Sequence, residues 1–327
     1  ENINPLFTPR ELKAQLQDSG SGTIIIAKNF VKSLEEILPE TSVKNVIVTS
    51  IGDFLGLKGY LINFVLKYVR KMVPNHSLQG TISFKEALLI GSKTKFISPH
   101  IDQEDIAFLQ YTGGTTGTVK AAVLSHRNII ANAIQVREWL GKQLKFGEDT
   151  AICALPLYHI FALTCNSMVF FYFGSNNILI TNPRDIPGFI KELKKHQFTF
   201  ISGVNTLFNK LLEDSKFSEC DFSKLNISIA GGMPVQKAVG DKWQAVTGCL
   251  LVVGYGLSET APAVSIDPID GEKFSDTIGL PLPSTEVSIQ DDSGKEIPVN
   301  EVGEICVRGP QVMRGYWNNE EDTKKIL

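Results

Sequence analysis

The chain has 327 residues, of which 43% are hydrophobic and 20% charged, and its formal net charge is −3. This composition is typical of a globular protein with a large core, and it lacks the positive field that draws a protein to nucleic acid. The sequence contains no signal peptide and no C-x-x-C pair, which excludes a zinc site built on such pairs and favours a reducing, cytoplasmic location. The five cysteines are scattered, at Cys153, Cys165, Cys220, Cys249 and Cys306.

The chain starts with a predicted helix followed by alternating strands and helices. Thr8 and Glu11 form a capping box, so we expect a helix that ends near Asp18. Two β-rich apolar runs, 23–27 and 46–49, flank a helix-like segment. This alternation predicts a βαβ unit with a parallel sheet.

Residues 60–73 are mostly apolar but carry polar side chains on one helical stripe, at Asn63, Lys67, Arg70 and Lys71. The segment is too short and too charged to span a bilayer. Two interpretations remain open. It is either a core helix with one solvent-exposed edge, or an interfacial helix that makes a peripheral contact with the inner face of the membrane.

The most informative stretch is Y-T-G-G-T-T-G-T-V-K, residues 111–120, between two apolar strand-like runs. Glycines allow close backbone approach to a ligand, hydroxyls and N–H groups can surround phosphate oxygens, and the lysine supplies a cation. It is not a Walker A loop, because Val119 precedes the lysine and Ala121 follows it. A simple turn is the alternative. The residues predicted to bind phosphate are Tyr111, Thr112, Gly113, Gly114, Thr115, Thr116, Gly117 and Lys120.

A helix is predicted from about Asn128 to Leu140, and the run 160–173 predicts a buried helix rather than a membrane span. A second set of β/α units comes after it. In this set the predicted strands lie at 176–180, 198–202, 227–230 and 250–253, and the predicted helices at 186–196, 204–212 and 234–246. A further strand is predicted before the run, at 151–155.

From residue 278 the pattern changes to short β segments separated by turns, which predicts a hairpin region. The fold class expected is α/β, with two packed βα-layered subdomains and the start of a small antiparallel β-barrel. We expect three parts, 1–175, 176–277 and 278–327. The chain begins without Met and stops in a charged run, so we expect it to belong to a longer protein.

A second candidate constellation is G-Y-G-L-S-E-T, which follows the predicted strand that ends at Val253. Ligands collect at the carboxyl ends of strands in α/β sheets. Tyr255, between Gly254 and Gly256, offers a flat face for a base, and Glu259 offers a hard oxygen ligand for Mg²⁺. The alternative is that Tyr255 only packs and Glu259 is a solvated carboxylate.

These two motifs, with P-L-Y-H-I-F at 156–161, G-G-M-P at 231–234 and the stretch 309–317, resemble the adenylate-forming enzymes. The chain departs from the family pattern at Val119, where proline is usual, and at Ala121, where glycine is usual. The Y-T-G-G form resembles bacterial long-chain fatty acid–CoA ligases. The resemblance implies a role for each site residue. Thr112 to Gly117 and Lys120 hold the ATP phosphates, Thr115 and Glu259 hold Mg²⁺, Tyr255 stacks on adenine beside Gly231 and Gly232, Ser258 reaches the α-phosphate or the carboxylate, and His159 borders the acyl pocket.

The resemblance also implies an enzyme whose substrates are a fatty acid, ATP and CoA, with an acyl chain held between 160–173 and 203–208. It implies a further C-terminal domain, so we expect this chain alone to adenylate poorly and to make no thioester. Two rivals stay open. One is an aryl- or aminoacyl-adenylating enzyme, and the other is a non-catalytic nucleotide- or lipid-binding module.

Overall fold

The computed structural model describes residues 1–112, 120–141 and 143–327. They divide into two compact units. One unit comprises Glu1–Asp102, Tyr111–Ala121 and Trp317–Glu321, and the other comprises Gln103–Gln110, Ala122–Tyr316 and Asp322–Leu327.

The first unit is a small α/β layer. In its described residues a three-stranded parallel sheet has the order β1-β2-β3. The first helix begins as the capping box predicts: the Thr8 N–H donates to the Glu11 carboxylate at 2.8 Å, and Gly20 ends the helix with φ of 65°. The elements are α1 (Pro9–Ser19), β1 (Thr23–Ala27), α2 (Val31–Ile37), β2 (Asn45–Thr49), α3 (Gly56–Phe64), a π-helix (Val65–Val69), β3 (Thr81–Ser83) and α4 (Phe84–Lys93).

Strands β4 (Ile106–Thr112) and β5 (Lys120–Ser125) pair with each other on either side of the predicted phosphate loop. Helix α5 (His126–Leu140) follows directly. Ser125 caps it, because its hydroxyl accepts from the Asn128 N–H at 3.2 Å.

The second unit is built on a larger sheet, which has seven strands in the part of the chain described, ordered β12-β11-β10-β9-β8-β6-β7. Strands β6 to β10 run parallel, whereas β11 pairs antiparallel with both of its neighbours, β10 and β12. The strands are β6 (Thr150–Cys153), β7 (Asn176–Leu179), β8 (Phe200–Gly203), β9 (Ile227–Gly231), β10 (Leu251–Gly256), β11 (Ala263–Ile266) and β12 (Leu280–Pro281). Strand β6 ends before residue 175 and β7 begins after it, and both belong to this sheet. The domain boundary predicted at residue 175 therefore falls between two strands of one sheet.

Helices cover both faces of this sheet, because alternate strand residues enter two different cores. Ile152 and Ile201 pack in one core with Trp243, while Ala151 and Phe200 pack in the other. The first core is covered by α7 (Ile186–Leu193), α8 (Asn205–Glu213) and α9 (Lys237–Thr247), and the second by α5, a π-helix (Ala162–Met168) and α6 (Val169–Tyr172).

The predictions for the 160–173 run and for the hairpin after residue 278 are confirmed. The run 160–173 is helical and largely buried, and none of the described helices is long and apolar enough to cross a bilayer. In the hairpin region, β13 (Glu286–Gln290) pairs antiparallel with β14 (Glu304–Arg308), and the described residues form no closed barrel there. A short helix, α10 (Glu320–Ile326), follows. The helix expected from residue 234 begins later, at Lys237, and strand β11 was not predicted.

Candidate functional site

The predicted site residues of the second unit collect at the carboxyl edge of its sheet. Strands β6, β8, β9 and β10 are parallel, so their last residues share one edge. The chain order reverses between β6 and β8, which are neighbours in the sheet, and such a switch point is where α/β sheets usually bind ligands.

Gly231 and Gly254 lie opposite each other at this edge, at the ends of β9 and β10. A Cβ atom on Gly231 would lie 2.9 Å from the Gly254 carbonyl oxygen and 3.2 Å from the Phe161 ring. Gly232 follows with φ of 75°, a conformation that favours glycine. The predicted motifs at 156–161 and 231–234 are therefore in contact, and glycine is required where they meet.

Tyr255 follows Gly254 on β10 and pairs with Ser265 of β11, after which the register shifts by a bulge. Its side chain is partly buried. Burial, and secondarily the negative charge of Glu259, raise the pKa of Tyr255. The phenol therefore stays neutral near pH 7 beside the carboxylate.

Ser258, Glu259 and Thr260 form a single 3₁₀ turn after β10. The buried Thr260 hydroxyl accepts from the Leu257 N–H at 3.1 Å and contacts the Pro262 carbonyl oxygen. Ala261 then leaves the turn with φ of 63°. These local bonds hold Ser258 and Glu259 on a short, well-defined turn.

Glu259 is held from a second direction by the segment 313–317. Its backbone carbonyl accepts from the Met313 N–H at 2.8 Å, and its carboxylate Oε1 accepts from the Tyr316 hydroxyl at 2.7 Å. Burial raises the pKa of Tyr316, and the hydrogen bond to Glu259 raises it further. Tyr316 is not among the site residues that the sequence predicts.

The same segment runs alongside β5, the strand that leaves the predicted phosphate loop. The Arg314 N–H donates to the Val123 carbonyl at 3.0 Å, the Val123 N–H donates to the Gly315 carbonyl at 2.9 Å, and Ala122 forms a bridge with Tyr316. Within the second unit, Glu259 is therefore tied to β5 through a few residues.

The residues around the phosphate loop are only partly described. Gly113, Gly114, Thr115, Thr116 and Gly117 lie outside the described residues.

Before the loop, the Tyr111 hydroxyl donates to the Asp18 carboxylate at 2.6 Å. The pKa of Tyr111 is raised, first by burial and then by this bond, so its hydroxyl stays protonated and donates to Asp18 near pH 7. The Thr112 hydroxyl donates to the Lys120 carbonyl at 3.4 Å, which closes the base of the loop.

His159 lies in the turn after β6. Its Nδ1 accepts from the Phe161 N–H at 3.3 Å, and desolvation lowers the pKa of His159 although the residue is exposed. A neutral imidazole whose Nδ1 accepts this bond carries its proton on Nε2. The side chain can thus donate one hydrogen bond, from Nε2, at the carboxyl edge of the sheet.

The two segments expected to line an acyl tunnel pack on opposite faces of the sheet. Cys165 and Phe170 of the 160–173 run lie in one core, whereas Leu207 and Phe208 lie in the other.

Among the residues that the structure describes, no group of three His, Cys, Asp or Glu side chains could hold a metal ion. A site for Mg²⁺ does not need one, since this ion is usually bound by one or two carboxylates together with substrate phosphates. Glu259, a single oriented carboxylate, fits that requirement.

The chain matches the family model described as AMP-binding enzyme over residues 2–317. The chain belongs to the AMP-binding enzyme family. It is 51% identical over 327 residues to a long-chain-fatty-acid–CoA ligase of Escherichia coli O6:H1, covering all of this chain and 58% of that protein. It is 33% identical to a long-chain-fatty-acid–CoA ligase of Bacillus subtilis, covering 99% of this chain and 58% of the relative.

A solved structure of the ATP-bound RpMatB-BxBclM chimera B3 superimposes with a TM-score of 0.78 at 25% identity, covering 99% of this chain and 57% of that one. The adenylate-forming α/β fold expected from the motifs is therefore confirmed. The chain spans less than two thirds of the length of these relatives. An activity is therefore proposed for the whole protein to which this chain belongs.

Proposed function

We propose that this chain is the large-domain portion of an ATP-dependent long-chain fatty acid–CoA ligase. The observation that supports it best is the fixed position of Glu259, which Tyr316 and the segment 313–317 hold beside the strand that leaves the threonine- and glycine-rich loop. The identity to curated long-chain ligases, which extends over the whole chain, supports the substrate class.

In the first half-reaction a fatty acid carboxylate attacks the α-phosphate of ATP, and pyrophosphate leaves. The carboxylate is a poor electrophile, and transfer to phosphate gives it a good leaving group. The protein mainly supplies in-line positioning and neutralises the charge that develops on the departing phosphates. The residues proposed for that role are Thr112 to Gly117 and Lys120.

Glu259, with Thr115, is proposed to hold Mg²⁺, which when bound would neutralise phosphate charge. Tyr255 is proposed to receive the adenine on its ring, beside Gly231 and Gly232. Ser258 precedes Glu259 on the same turn, so its hydroxyl is placed to reach the α-phosphate or the acyl carboxylate.

In the second half-reaction the thiol of CoA attacks the acyl-adenylate and AMP leaves. No protein nucleophile is required for either step. His159 is proposed to border the carboxylate pocket, where a neutral imidazole can donate from Nε2 without adding a positive charge.

The test is ATP–pyrophosphate exchange in the whole protein with a long-chain fatty acid. We expect Lys120→Ala or Glu259→Gln to reduce the exchange rate at least tenfold, since each lost phosphate or metal contact should cost about 2–4 kcal/mol of transition-state stabilisation, by analogy with an oxyanion-hole donor. Lys237→Ala and Glu286→Gln remove exposed charges of the same types and should leave the rate unchanged. Wild-type exchange in both site variants would refute the assignment.

We also propose that residues 60–73 make a peripheral contact with an anionic lipid surface. This basic apolar segment contains three basic and no acidic residues, at Lys67, Arg70 and Lys71. Several of its apolar side chains are exposed: Tyr60 is 70% exposed, Leu61 66% and Val69 65%. An exposed apolar segment whose own charged residues are all cations is complementary to lipid headgroups of negative charge.

Co-flotation of the whole protein with vesicles tests this contact. We expect binding to phosphatidylglycerol vesicles that weakens with salt, and a loss of at least tenfold in Lys67→Glu/Arg70→Glu/Lys71→Glu, because each basic residue near such a surface contributes about 1 kcal/mol. The control Lys191→Glu/Lys216→Glu/Lys237→Glu makes the same change in net charge elsewhere and should still bind. Equal binding to neutral vesicles, or equal loss in both variants, would contradict the proposal.

A further inference from the structure

The hydroxyl of Tyr316 donates a short hydrogen bond to the Glu259 carboxylate, at 2.7 Å to Oε1. The contact is not a chance approach of two surface side chains. Both residues are partly buried, and the backbones are joined as well, by the Met313 N–H and the Glu259 carbonyl.

Tyr316 is itself firmly placed. Its N–H donates to the Thr323 hydroxyl at 2.9 Å, and its backbone bridges to Ala122 of β5. Gly315, just before it, has φ of 136°, and a Cβ there would lie 2.7 Å from the Thr323 side chain. The chain therefore delivers the phenol to Glu259 from a backbone that has little freedom to move.

A carboxylate that shares a cation with substrate phosphates works only in a limited range of orientations. Partners that hydrogen-bond to such ligands orient them, and their removal typically costs 10–100-fold in metal affinity or activity. Tyr316 can act in this way because its hydroxyl donates to one carboxylate oxygen and leaves the group charged. A tyrosine hydroxyl is protonated in the neutral range, with an ordinary pKa of about 10, and can therefore donate this bond.

We propose that Tyr316 is a positioning residue for the adenylation step: it orients the Glu259 carboxylate for Mg²⁺ and links that carboxylate to the strand that leaves the phosphate loop. This inference rests on the proposed function. The inference adds to the proposed function a role for Tyr316, a side chain 57 positions away from Glu259. The sequence motifs assign no role to the segment that contains it.

The variant Tyr316→Phe in the whole protein removes the hydroxyl and keeps the ring. We expect the Mg²⁺ concentration that half-saturates ATP–pyrophosphate exchange to rise about tenfold, with a smaller change in the rate at saturating Mg²⁺. We also expect Mn²⁺ affinity, measured by electron paramagnetic resonance with a non-hydrolysable ATP analogue bound, to fall by a similar factor. Tyr172→Phe removes a phenol hydroxyl that contacts Arg137 and should change neither quantity.

A double mutant separates positioning from general damage. If Tyr316 acts through Glu259, then Tyr316→Phe should cause little further loss in a Glu259→Gln protein, because the two effects are not additive. Full additivity, or an unchanged Mg²⁺ and Mn²⁺ dependence in Tyr316→Phe, would overturn the inference while the proposed function stands. A wild-type protein without acid-dependent exchange would overturn the proposed function itself and this inference with it.

Discussion

Gly254 and Gly256 flank the tyrosine of the G-Y-G motif but are glycines for different reasons. A Cβ on Gly256 would lie 2.1 Å from the Pro262 carbonyl oxygen, an overlap with backbone that no rotamer can relieve. A Cβ on Gly254 would meet no atom closer than 3.5 Å. Gly256 therefore permits a close backbone approach, whereas Gly254 is not sterically required within the described chain.

We therefore expect Gly256→Ala to destabilise the protein by about 1–3 kcal/mol, the usual cost of overpacking. The matched variant Gly254→Ala should be neutral or slightly stabilising, because alanine loses less conformational entropy on folding than glycine. Urea unfolding of the two variants beside wild type measures the difference. Equal stability of both variants would contradict this prediction, because it would mean that the backbone at Pro262 can shift to accommodate the added methyl group at little cost.

Single residues of the site were predictable to the extent that a local motif reports on them. Glu259 and Tyr255 stand out because glycines and a strand end surround them in sequence. Tyr316 could not be found in this way, since its importance comes from a tertiary contact with Glu259 and nothing in its own neighbourhood indicates a partner. The only available signal was that 309–317 resembles a family segment, which suggests a role without naming one.

At the scale of elements, α5 and β11 are joined by one buried side chain. The Asn132 amide donates to the Ala263 carbonyl at 2.8 Å and accepts from the Ala263 N–H at 2.9 Å. Asn132 is completely buried and thus completes the hydrogen bonding of a strand that immediately follows the Glu259 turn. These two hydrogen bonds explain why a polar residue, Asn132, occupies a core position of helix α5.

Asn132→Ala would leave the Ala263 N–H without this partner and the Ala263 carbonyl with only the longer bond from the Gln311 amide, at 3.4 Å. We expect a loss of about 1–3 kcal/mol in the free energy of unfolding, the usual cost of a buried group left unsatisfied. Asn209→Ala, which removes an exposed bond to Glu213, should change stability by no more than about 0.5 kcal/mol. Thermal or urea unfolding measures both effects, and a loss in Asn132→Ala no larger than in the control would contradict the role given to this side chain.

Elements with strong end signals were the most predictable. Helix α1 begins and ends where the Thr8–Glu11 box and Gly20 place it. Helix α9 was expected from Pro234 but begins three residues later, and β11 was not expected at all. Strand β11 has four buried residues and no polar alternation, so its identity depends on pairing with β10 rather than on its own pattern.

At the scale of the whole molecule, the α/β class and the order of elements follow from alternating strand and helix patterns, whereas the division into compact units does not. The first unit gathers three separate stretches of the described chain, including Trp317–Glu321. No composition shift or linker marks such a grouping, because it is created by contacts between residues far apart in sequence. A linear division at residue 175 therefore falls inside the large sheet.

The preferred acid is also a property of the whole protein, and it discriminates between a fatty acid ligase and an aryl- or aminoacyl-adenylating enzyme. If the acyl chain is buried in an apolar tunnel, each added CH₂ contributes about 0.8 kcal/mol to binding, or about a fourfold change in affinity. We expect the KM for linear fatty acids in pyrophosphate exchange to fall by about this factor per carbon until the tunnel is filled.

Competition between acids in the same assay supplies the control. Benzoate and free amino acids should compete poorly with a long-chain acid, because neither can fill a long apolar channel. An enzyme that bound acetate most tightly, or that preferred an aromatic acid, would contradict the long-chain assignment. It would still leave adenylation itself to be tested by the Lys120 and Glu259 variants, since those residues are proposed to act on the nucleotide and not on the acid.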